Sequence, residues 1–386
     1  MGPISKITIF LGFSAFFLSG SSVSAETITV RCPAGSILND CVAQACQNPD
    51  GGQVLLEAGE YDATNFKAAL NVVNNFPTNL PPGIGLCQGG VSIVGQGADL
   101  TTVTANGPNT SPIAGAPPLP GTLAIGSPNG SMGPVEVRDL TLRCATAGTC
   151  SLNGIAVINA ASTLISGVHV TGFVRGILAA GHNFTVRGNH LEGVGVNVFN
   201  GRGIFAVHPF AALMGRQTNL NISDNELEGF FRGIVTDSYD GVKITGNALS
   251  AVPQAIFAQN IEGELLISRN SIVSADIGII ANLALFDLVT FEGYGNTPSQ
   301  ILHNSIVDTR IAVTLQFEAD FEAAANIHHN SMIDVEKALA FDVDVTPPNF
   351  PPNPQPATYD PCLHDVSFKH NVVEPLSALP DLGVCE

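Results

Sequence analysis

Two neighbouring segments of the chain combine the side chains that acid and base chemistry needs. The segment RGIVTDSYDG contains Arg232, Asp237 and Asp240, and the preceding segment RGIFAVH contains Arg202 and His208. Two carboxylates beside a glycosidic bond can act as acid and base in hydrolysis. In an elimination, carboxylates instead hold a calcium ion while an arginine removes a proton from carbon, so Ca²⁺ is the only cofactor that this chemistry suggests. The predicted catalytic residues are His208, Arg232, Asp237 and Asp240.

The arginines recur at one position of a repeated segment, directly before a Gly-Ile pair. The copies are RGILAA from Arg175, RGIFAV from Arg202 and RGIVTD from Arg232, in a protein with only 15 basic and 33 acidic residues. The planar guanidinium group binds carboxylates through two hydrogen bonds, so three stacked arginines could hold an acidic sugar chain. The alternative is that they cap turn carbonyls or pair with nearby glutamates. Those glutamates are Glu192, Glu226 and Glu228.

A polar series follows in the same segments, three residues after the isoleucine. It reads Ala180, Val207, Asp237, Gln259, Asn282, Gln316 and Asp342. Side chains alternate along a strand, so these residues should point outward from a strand whose isoleucines are buried. Polar residues are also the ordinary content of an exposed strand face, and that alternative stays open. The predicted substrate-binding residues are Arg175, Arg202, Gln259 and Asn282.

A repeated phrase with a central asparagine indicates the elements that would position these side chains. Its seven copies centre on Asn189, Asn225, Asn247, Asn270, Asn304, Asn330 and Asn371. The spacing fits a unit of about 22 residues with insertions, and each unit contains short apolar alternations but no helix-length period. Such units stack as coils of parallel strands around an aliphatic core. We predict that the asparagines are structural, because Asn tolerates left-handed backbone and its amide can bond to the next copy.

The N-terminal part of the chain carries a resemblance to a known fold family. SILNDCVAQACQNPDGGQVLLEAGEYDA resembles the entry motif of right-handed parallel β-helix proteins of the pectate-lyase-like kind, and VSIVGQGADLTTVTA resembles the next turn. The resemblance covers Cys32 to Asn371. It implies an all-β, right-handed parallel β-helix solenoid with an N-terminal capping helix. We expect one domain over 26–386, with long loops near 106–132, which is rich in Pro, Gly and Ser, and near 346–356, which is rich in Pro. No phrase of a particular enzyme family is present, so no residue role can be transferred.

The N-terminal segment and the number of cysteines predict export. Residues 1–25 contain Lys6, an apolar run too short to span a membrane, and small residues before Glu26, which is the pattern of a secretory signal peptide. Eight cysteines follow, an even number that suits disulfides in an oxidising compartment. We predict a secreted protein, extracellular or periplasmic. The predicted local disulfides are Cys144 with Cys150 and Cys362 with Cys385.

The excess of acidic residues limits the classes of partner that the protein can bind. A net charge of −18 is unsuited to nucleic acid or anionic lipid, and no later segment is long and apolar enough for a membrane span. The sequence therefore predicts a secreted, carbohydrate-active monomer acting on an acidic polysaccharide, by elimination rather than by hydrolysis or epimerisation. One alternative is a non-catalytic envelope protein, either an adhesin or a glycan-binding protein. The other is a periplasmic metal-binding protein using a column of His303, His329 and His370.

Overall fold

The computed structural model of the protein describes most of the chain between residues 27 and 382. The described ranges are 27–64, 66, 87–108, 121–126, 132–198, 200–207, 217–283, 285–286, 293–294, 298–317, 323–341, 364–380 and 382. Several predictions lie outside these ranges. They concern the signal peptide over 1–25, the catalytic role of His208, the disulfide between Cys362 and Cys385, and the loop near 346–356.

The described chain is built almost entirely of short strands. In chain order they are β1 (Ile28–Cys32), β2 (Gly52–Leu56), β3 (Gly59–Asp62), β4 (Val91–Val94), β5 (Thr101–Ala105), β6 (Gly121–Gly126), β7 (Val135–Arg138), β8 (Thr141–Cys144), β9 (Asn153–Ile158), β10 (Thr163–Ser166), β11 (His169–Phe173), β12 (Arg175–Ala180), β13 (Phe184–Arg187), β14 (His190–Gly193), β15 (Arg202–Val207) and β16 (Gln217–Ser223). The remaining strands are β17 (Glu226–Glu228), β18 (Arg232–Asp237), β19 (Tyr239–Thr245), β20 (Ala248–Ser250), β21 (Gln254–Gln259), β22 (Glu262–Ser268), β23 (Ser271–Val273), β24 (Ile277–Asn282), β25 (Leu285–Phe286), β26 (Gly293–Tyr294), β27 (Ser299–Leu302), β28 (Ser305–Gln316), β29 (Ala323–His328), β30 (Ser331–Phe341), β31 (His364–Lys369) and β32 (Val372–Glu374). One α-helix, α1 (Leu38–Ala45), and one 3₁₀ helix, Leu376–Ala378, complete the described elements.

The strands stack in three rows that run along the coil. The first row is the 12-stranded parallel sheet β1-β2-β4-β7-β10-β13-β16-β19-β22-β27-β29-β31. The second row is β3-β5-β8-β11-β14-β17-β20-β23-β28-β30-β32, and the third row is β6-β9-β12-β15-β18-β21-β24-β28-β30. The long strands β28 and β30 belong to both later rows. Only the pair β25–β26 is antiparallel among the described strands. This topology confirms the predicted parallel β-helix.

Period-two alternation decides which side chains enter the core. In β18, Ile234 and Thr236 are fully buried inside the coil, while Asp237 follows on the opposite face and is only partly buried. Arg232, at the start of the strand before Gly233, is also only partly buried and does not follow this alternation. The stacked isoleucines of neighbouring turns, such as Ile204 over Ile234, form one continuous apolar core. Burial of such side chains is favourable by about 2 kcal/mol each. A one-residue slip would place outward positions such as Asp237 inside the core, so the core fixes the register of the outer ladders.

The seven repeated asparagines form a hydrogen-bonded ladder, as predicted. Each Nδ2 donates to the Oδ1 of the next asparagine at 2.8 to 3.0 Å, from Asn189 through to Asn371. Each also donates to a main-chain carbonyl, for example Asn247 to Ile222 at 3.0 Å. The left-handed backbone, however, belongs to the preceding residue, such as Asp224 (φ 56°) or His303 (φ 58°). Each ladder asparagine therefore follows directly after the residue that makes the left-handed turn.

Helix α1 is fastened to the first strands of the coil. Its residues Leu38, Val42 and Ala45 are fully buried in the main core. The disulfide Cys32–Cys41 joins it to β1, and Cys46–Cys87 joins its end to the segment before β4. A capping role at the open end of the coil stays a prediction. With eight residues α1 is too short to cross a membrane, and no helix among the described residues is long and apolar enough to do so.

Two further predictions concern the N-terminal half of the chain, and the structure confirms one of them and corrects the other. The disulfide Cys144–Cys150 is present, closing a short loop after β8. The segment 106–132, expected as a loop, contains β6, whose six residues are all buried. Its Gly121 pairs with Asn153 of β9 and extends the third row by one turn. The richness in Pro, Gly and Ser concealed a strand because the flanking residues dominate the composition.

Candidate functional site

Three arginines begin consecutive strands of the third row and form the arginine ladder, defined as Arg175, Arg202 and Arg232. Arg175 is in register with Arg202, and Arg202 is in register with Arg232. The next turn continues the column with Gln254, which accepts a hydrogen bond from Arg232 Nε at 2.6 Å. The three arginines therefore lie in one column, as the repeat in the sequence predicted. Stacked strands are about 4.8 Å apart, so the ladder is about 10 Å long.

The guanidinium groups of the arginine ladder pack over aromatic rings. Arg175 and Arg202 lie 4.8 and 4.2 Å from the centroid of Phe205, and Arg232 lies 4.8 Å from that of Phe257. An aromatic face attracts a cation more strongly when both are partly desolvated. The two phenylalanines point outward from the strand and thus support the arginines from the outer face of the coil. The sequence pattern did not single out these two rings. Phe205 lies three residues after Arg202, and Phe257 lies three residues after Gln254, which continues the column.

No carboxylate among the described residues forms an ion pair with the arginine ladder. Burial, and then the neighbouring charge of Arg202, lower the pKa of Arg175 and of Arg232 to about 10. Burial also lowers the pKa of Arg202. The Arg202 Nε atom is inaccessible to solvent and has no hydrogen-bond partner in the described structure. A buried cationic donor of this kind is costly unless an anion completes it.

The three glutamates predicted as alternative partners of the arginines either contact other side chains or lie on a different row of strands. Glu192 contacts His190 and Thr171, and Glu226 contacts His190. Glu228 is exposed on β17 of the second row. The main-chain alternative applies to one arginine, since Arg175 Nε donates to the carbonyl of Asn200 at 3.3 Å. Ion pairing within the described part of the chain therefore does not account for the arginine ladder.

The polar series occupies the opposite ends of the same strands. Val207, Asp237, Gln259, Asn282 and Gln316 are successive register partners, as expected. Gln259 Nε2 donates to Asp237 Oδ2 at 2.7 Å, and Ser238 Oγ donates to Asp237 Oδ1 at 2.9 Å. Asp237 is thus held as an acceptor by two neighbours. An apolar strip that includes Val235 and Phe257 separates this polar series from the arginine ladder.

The structure does not bring the three described members of the predicted catalytic set, Arg232, Asp237 and Asp240, into one cluster. Arg232 and Asp237 are the two ends of β18, five residues apart at about 3.3 Å per residue, or about 16 Å. Asp240 lies on β19 in the first row, exposed and in register with Thr218 and Glu262. Calcium favours six to eight oxygen ligands, usually with several carboxylates. Among the described residues of the polar series Asp237 is the single carboxylate, so this donor set does not fit a calcium site.

The predicted histidine column forms, but as a stack of rings. His303 and His329 are stacked at 5.2 Å between ring centroids, and so are His329 and His370. His328 contributes a further contact, Nδ1 to Nδ1 of His329 at 2.7 Å. Burial and then the nearby histidines lower the pKa of His328. Stacked rings do not point their nitrogens at one centre, and this column is not among the described groups whose three ligand atoms converge.

A different histidine group does converge, on the second row. His169, His190 and Glu192 offer ligand atoms that all lie within 4.8 Å of one another. The sequence contained a weak signal for it, because His169 and His190 occupy the same position of consecutive units, 21 residues apart. This signal was too weak to predict the group, because the histidine repeats in only two turns. The third member, Glu192, lies two residues after His190 and is not part of that repeat.

A surface groove of about 660 Å³ lies on another face, along the first row. Its wall includes Gly52, Gly90, Glu136 and Arg187. Glu136 is already paired with Arg138 at 2.9 Å and accepts from Ser92 at 2.6 Å. Glu136 is therefore already engaged within the chain, and the arginine ladder remains the candidate site.

Comparison with known proteins finds structural similarities only. No family model matches the sequence, and no curated protein matches it. Among solved structures, the Azotobacter vinelandii mannuronan C-5 epimerase AlgE6 A-module is similar, with 14% identity, a TM-score of 0.46, and coverage of 91% of this chain and 98% of that one. The catalytic domain of a GH87 alpha-1,3-glucanase is also similar in two complexes. With nigerose it has 13% identity and a TM-score of 0.34, and with tetrasaccharides 12% and 0.40, covering 92% of this chain and 69% of the other in both.

Identities of 12 to 14% and TM-scores below 0.5 carry no argument about activity. The strand pairing of the chain itself establishes the architecture. It is an all-β parallel β-helix whose outer face exposes three arginines without a carboxylate partner among the described residues.

Proposed function

We propose that the protein binds an acidic polysaccharide along the arginine ladder and cleaves it by elimination. The observation that carries the proposal is the absence of a carboxylate beside Arg175, Arg202 and Arg232 within the described structure. Three cations of this kind repel one another, and the ladder is stabilised when an external anion binds. The protein as a whole is acidic at −18, so the ladder is a local exception to its surface charge.

A linear polyuronate is the class of ligand that fits the ladder. Its carboxylates repeat along a chain, and the arginines repeat along the coil axis over about 10 Å. Each guanidinium can donate two parallel hydrogen bonds to a carboxylate. Phe205 and Phe257 hold the guanidinium groups in place, which reduces the conformational entropy lost on binding. A single sugar would meet only part of this ladder, so a polymer or long oligomer is the expected ligand.

Elimination suits the residues better than hydrolysis. Hydrolysis requires two carboxyl groups about 5 to 9.5 Å apart across the scissile bond. The described polar series offers one, Asp237, and Asp240 lies on another row. Elimination requires a base and a neutralised uronate, and the ladder supplies both from arginines. Arg232, with its pKa lowered to about 10, is the proposed base, and Arg175 and Arg202 are the proposed carboxylate clamps.

In this reaction the neutral form of Arg232 accepts the proton from C5 of a uronate. The electron pair of that C–H bond forms the C4=C5 double bond, and the bond from C4 to the glycosidic oxygen breaks. The departing oxygen takes a proton from solvent, and Arg232 returns its proton to solvent. Arg202 stabilises the negative charge that develops on the uronate carboxylate. Asp237 and Gln259 lie farther along the strand and are proposed to contact neighbouring sugars.

The site of action that we propose is outside the cytoplasm. Three disulfides are described, and disulfides are typical of proteins in oxidising compartments. The predicted signal peptide and secretion are part of this proposal. Glycan binding without cleavage is the second candidate, favoured by the distance of about 16 Å between Arg232 and Asp237.

A panel of acidic polysaccharides tests the proposal directly. The mature protein is incubated with pectin, alginate and glycosaminoglycans, with and without calcium, while ultraviolet absorbance of unsaturated products and reducing ends are followed. The proposal predicts unsaturated products that Arg232→Ala abolishes. Binding without any product assigns the protein to the glycan-binding candidate instead. Saturated reducing ends alone contradict elimination.

A further inference from the structure

The geometry points to a binding site for a divalent transition-metal ion, of which zinc is the best fit, formed by His169, His190 and Glu192. The three residues belong to the second row, on β11 and β14, whereas the arginine ladder begins strands of the third row. The inference is independent of the proposed function, because none of these residues takes part in the arginine ladder.

The fold holds the three side chains on one outer surface. His169 and His190 are register partners in adjacent parallel strands, and Glu192 is two residues after His190. Their neighbours Val170 and Leu191 are buried in the core, so the alternation of the strand directs the three polar side chains outward. Because both strands are fixed by core packing, the ligands are positioned on regular elements rather than on a loop.

The separations between Glu192 and the two histidines are close to those of a tetrahedral metal centre, and all three ligand atoms lie within 4.8 Å of one another. His190 Nε2 lies 3.1 Å from Glu192 Oε1, and His169 Nε2 lies 3.5 Å from the same oxygen. In a tetrahedral zinc site with bonds of about 2.0 to 2.1 Å, neighbouring ligand atoms are about 3.3 Å apart. The two separations lie on either side of that value. Small side-chain rotations would bring all three atoms to bonding distance of one ion.

The surrounding hydrogen bonds orient the ligands as metal sites require. His190 Nδ1 lies 3.0 Å from Glu226 Oε2, so this ring donates one proton to a carboxylate and presents Nε2 to the centre. Thr171 Oγ1 donates to Glu192 Oε2 at 2.9 Å and leaves Oε1 directed at the histidines. Carboxylate-bound histidine and hydrogen-bonded carboxylate ligands are the usual second layer of a zinc site.

Two features show that the group is incomplete as a set of hydrogen bonds. His169 Nε2 is inaccessible to solvent and makes no hydrogen bond within the described structure. The ring of His190 lies between two carboxylates, with Nε2 3.1 Å from Glu192 Oε1 and Nδ1 3.0 Å from Glu226 Oε2. A divalent ion bound beside Glu192 would give His169 Nε2 the partner that it lacks.

The type and number of ligands select the ion. Two imidazoles and one carboxylate suit zinc and related first-row ions, whereas calcium and magnesium prefer sites made only of oxygens. Three protein ligands leave the fourth tetrahedral position for water, as in reactive rather than purely structural zinc sites. The side chains of His169, His190 and Glu192 are 32%, 34% and 38% exposed, so the group lies at the surface, although His169 Nε2 itself is covered until the side chains rotate.

Zinc titration of the untagged mature protein, first stripped with a chelator, tests the inference. We expect one zinc ion per chain after desalting, measured by mass spectrometry, and a loss of at least tenfold in affinity in Glu192→Gln, which keeps the shape of the side chain. The matched controls are His182→Ala, an exposed histidine outside the group, and the double variant His303→Ala with His329→Ala. Unchanged binding in both controls supports the site.

Two further readouts keep the test decisive if a variant folds poorly. Excess zinc at about a hundredfold over the wild-type Kd should raise the Tm of the wild type by about 3 °C and that of Glu192→Gln by no more than about half as much. Cobalt substitution should give the intense visible absorption of a tetrahedral centre. Zinc bound equally by wild type and Glu192→Gln, zinc lost only in the His303 and His329 double variant, or no zinc bound at all would each overturn the inference.

Discussion

Arg202 is the register partner of Arg232, and the two guanidinium groups lie over different rings, those of Phe205 and Phe257. Like charges in adjacent strands are destabilising when they face each other. Here the core of the coil fixes the register, so the arginines cannot separate by a slip of the strand. The repulsion therefore remains until an anion binds, and this is the basis of the predictions for Arg202 and Arg232.

Replacing the central arginine should weaken binding of an acidic polysaccharide strongly. Hydrogen bonds to charged groups contribute about 1.5 to 3 kcal/mol, so Arg202→Ala should raise Kd roughly 10- to 100-fold. Arg202→Lys should recover part of the loss, since lysine keeps the charge but not the planar pair of donors. The matched control is Arg310→Ala, which removes an exposed arginine already paired with Asp276. Equal losses for Arg202→Ala and Arg310→Ala would contradict a specific ladder.

Cleavage should accelerate as the pH rises towards 10. The base form of Arg232 is the neutral one, and below its pKa of about 10 its fraction grows about tenfold per pH unit. Above that pH the ladder loses positive charge and substrate affinity should fall. Initial rates of unsaturated product formation, measured from neutral to alkaline pH, check the sign. A rate maximum at acidic pH would instead indicate a carboxylic acid and hydrolysis.

The buried asparagines of the ladder should each contribute measurably to the stability of the coil. Asn247→Ala removes a buried amide that donates to Asn270 and Ile222 and accepts from Asn225. Leaving such groups unsatisfied should lower the free energy of unfolding by about 3 kcal/mol. Asn371→Ala, at the partly exposed end of the same ladder, should cost about 1 kcal/mol. Chemical denaturation of both variants measures the difference, and equal costs would argue against a buried ladder.

The disulfides should differ in their contribution according to the loop that each closes. Cys144–Cys150 spans a separation of 6 residues and Cys46–Cys87 one of 41. The loss of loop-closure entropy predicts about 2 kcal/mol for the first and about 4 kcal/mol for the second. Double serine variants, unfolded in denaturant, give the comparison. A larger loss for the Cys144–Cys150 variant would show that local packing around β8 outweighs chain entropy.

The repeat allowed the fold and the arginine column to be predicted from the sequence. Once Asn225 and Asn247 mark equivalent turns, every other position in the unit is fixed by counting, and Arg202 must stack on Arg232. The same counting predicted that Asp237 and Gln259 would be neighbours. These predictions succeed because core packing permits one register only.

Distances along and around a strand were harder to predict. Arg232 and Asp237 are close in sequence, yet an extended strand carries them about 16 Å apart. Asp240 follows after a turn at Ser238 (φ 63°), which moves it to another row. The group of His169, His190 and Glu192 depends on side-chain directions across two turns, and no long repeat marks it. A column of identical residues is visible in a sequence, whereas a convergence of different residues is not.

Titration with two matched polymers tests the central claim most directly. One is a polyuronate, and the other is the same polymer after its carboxyl groups have been reduced to alcohols. We predict that the wild type binds the polyuronate, that binding weakens as salt screens the charges, and that the triple variant Arg175→Ala, Arg202→Ala and Arg232→Ala loses it. Binding of the reduced polymer with equal affinity, or unaltered polyuronate binding by a folded triple variant, would contradict the account.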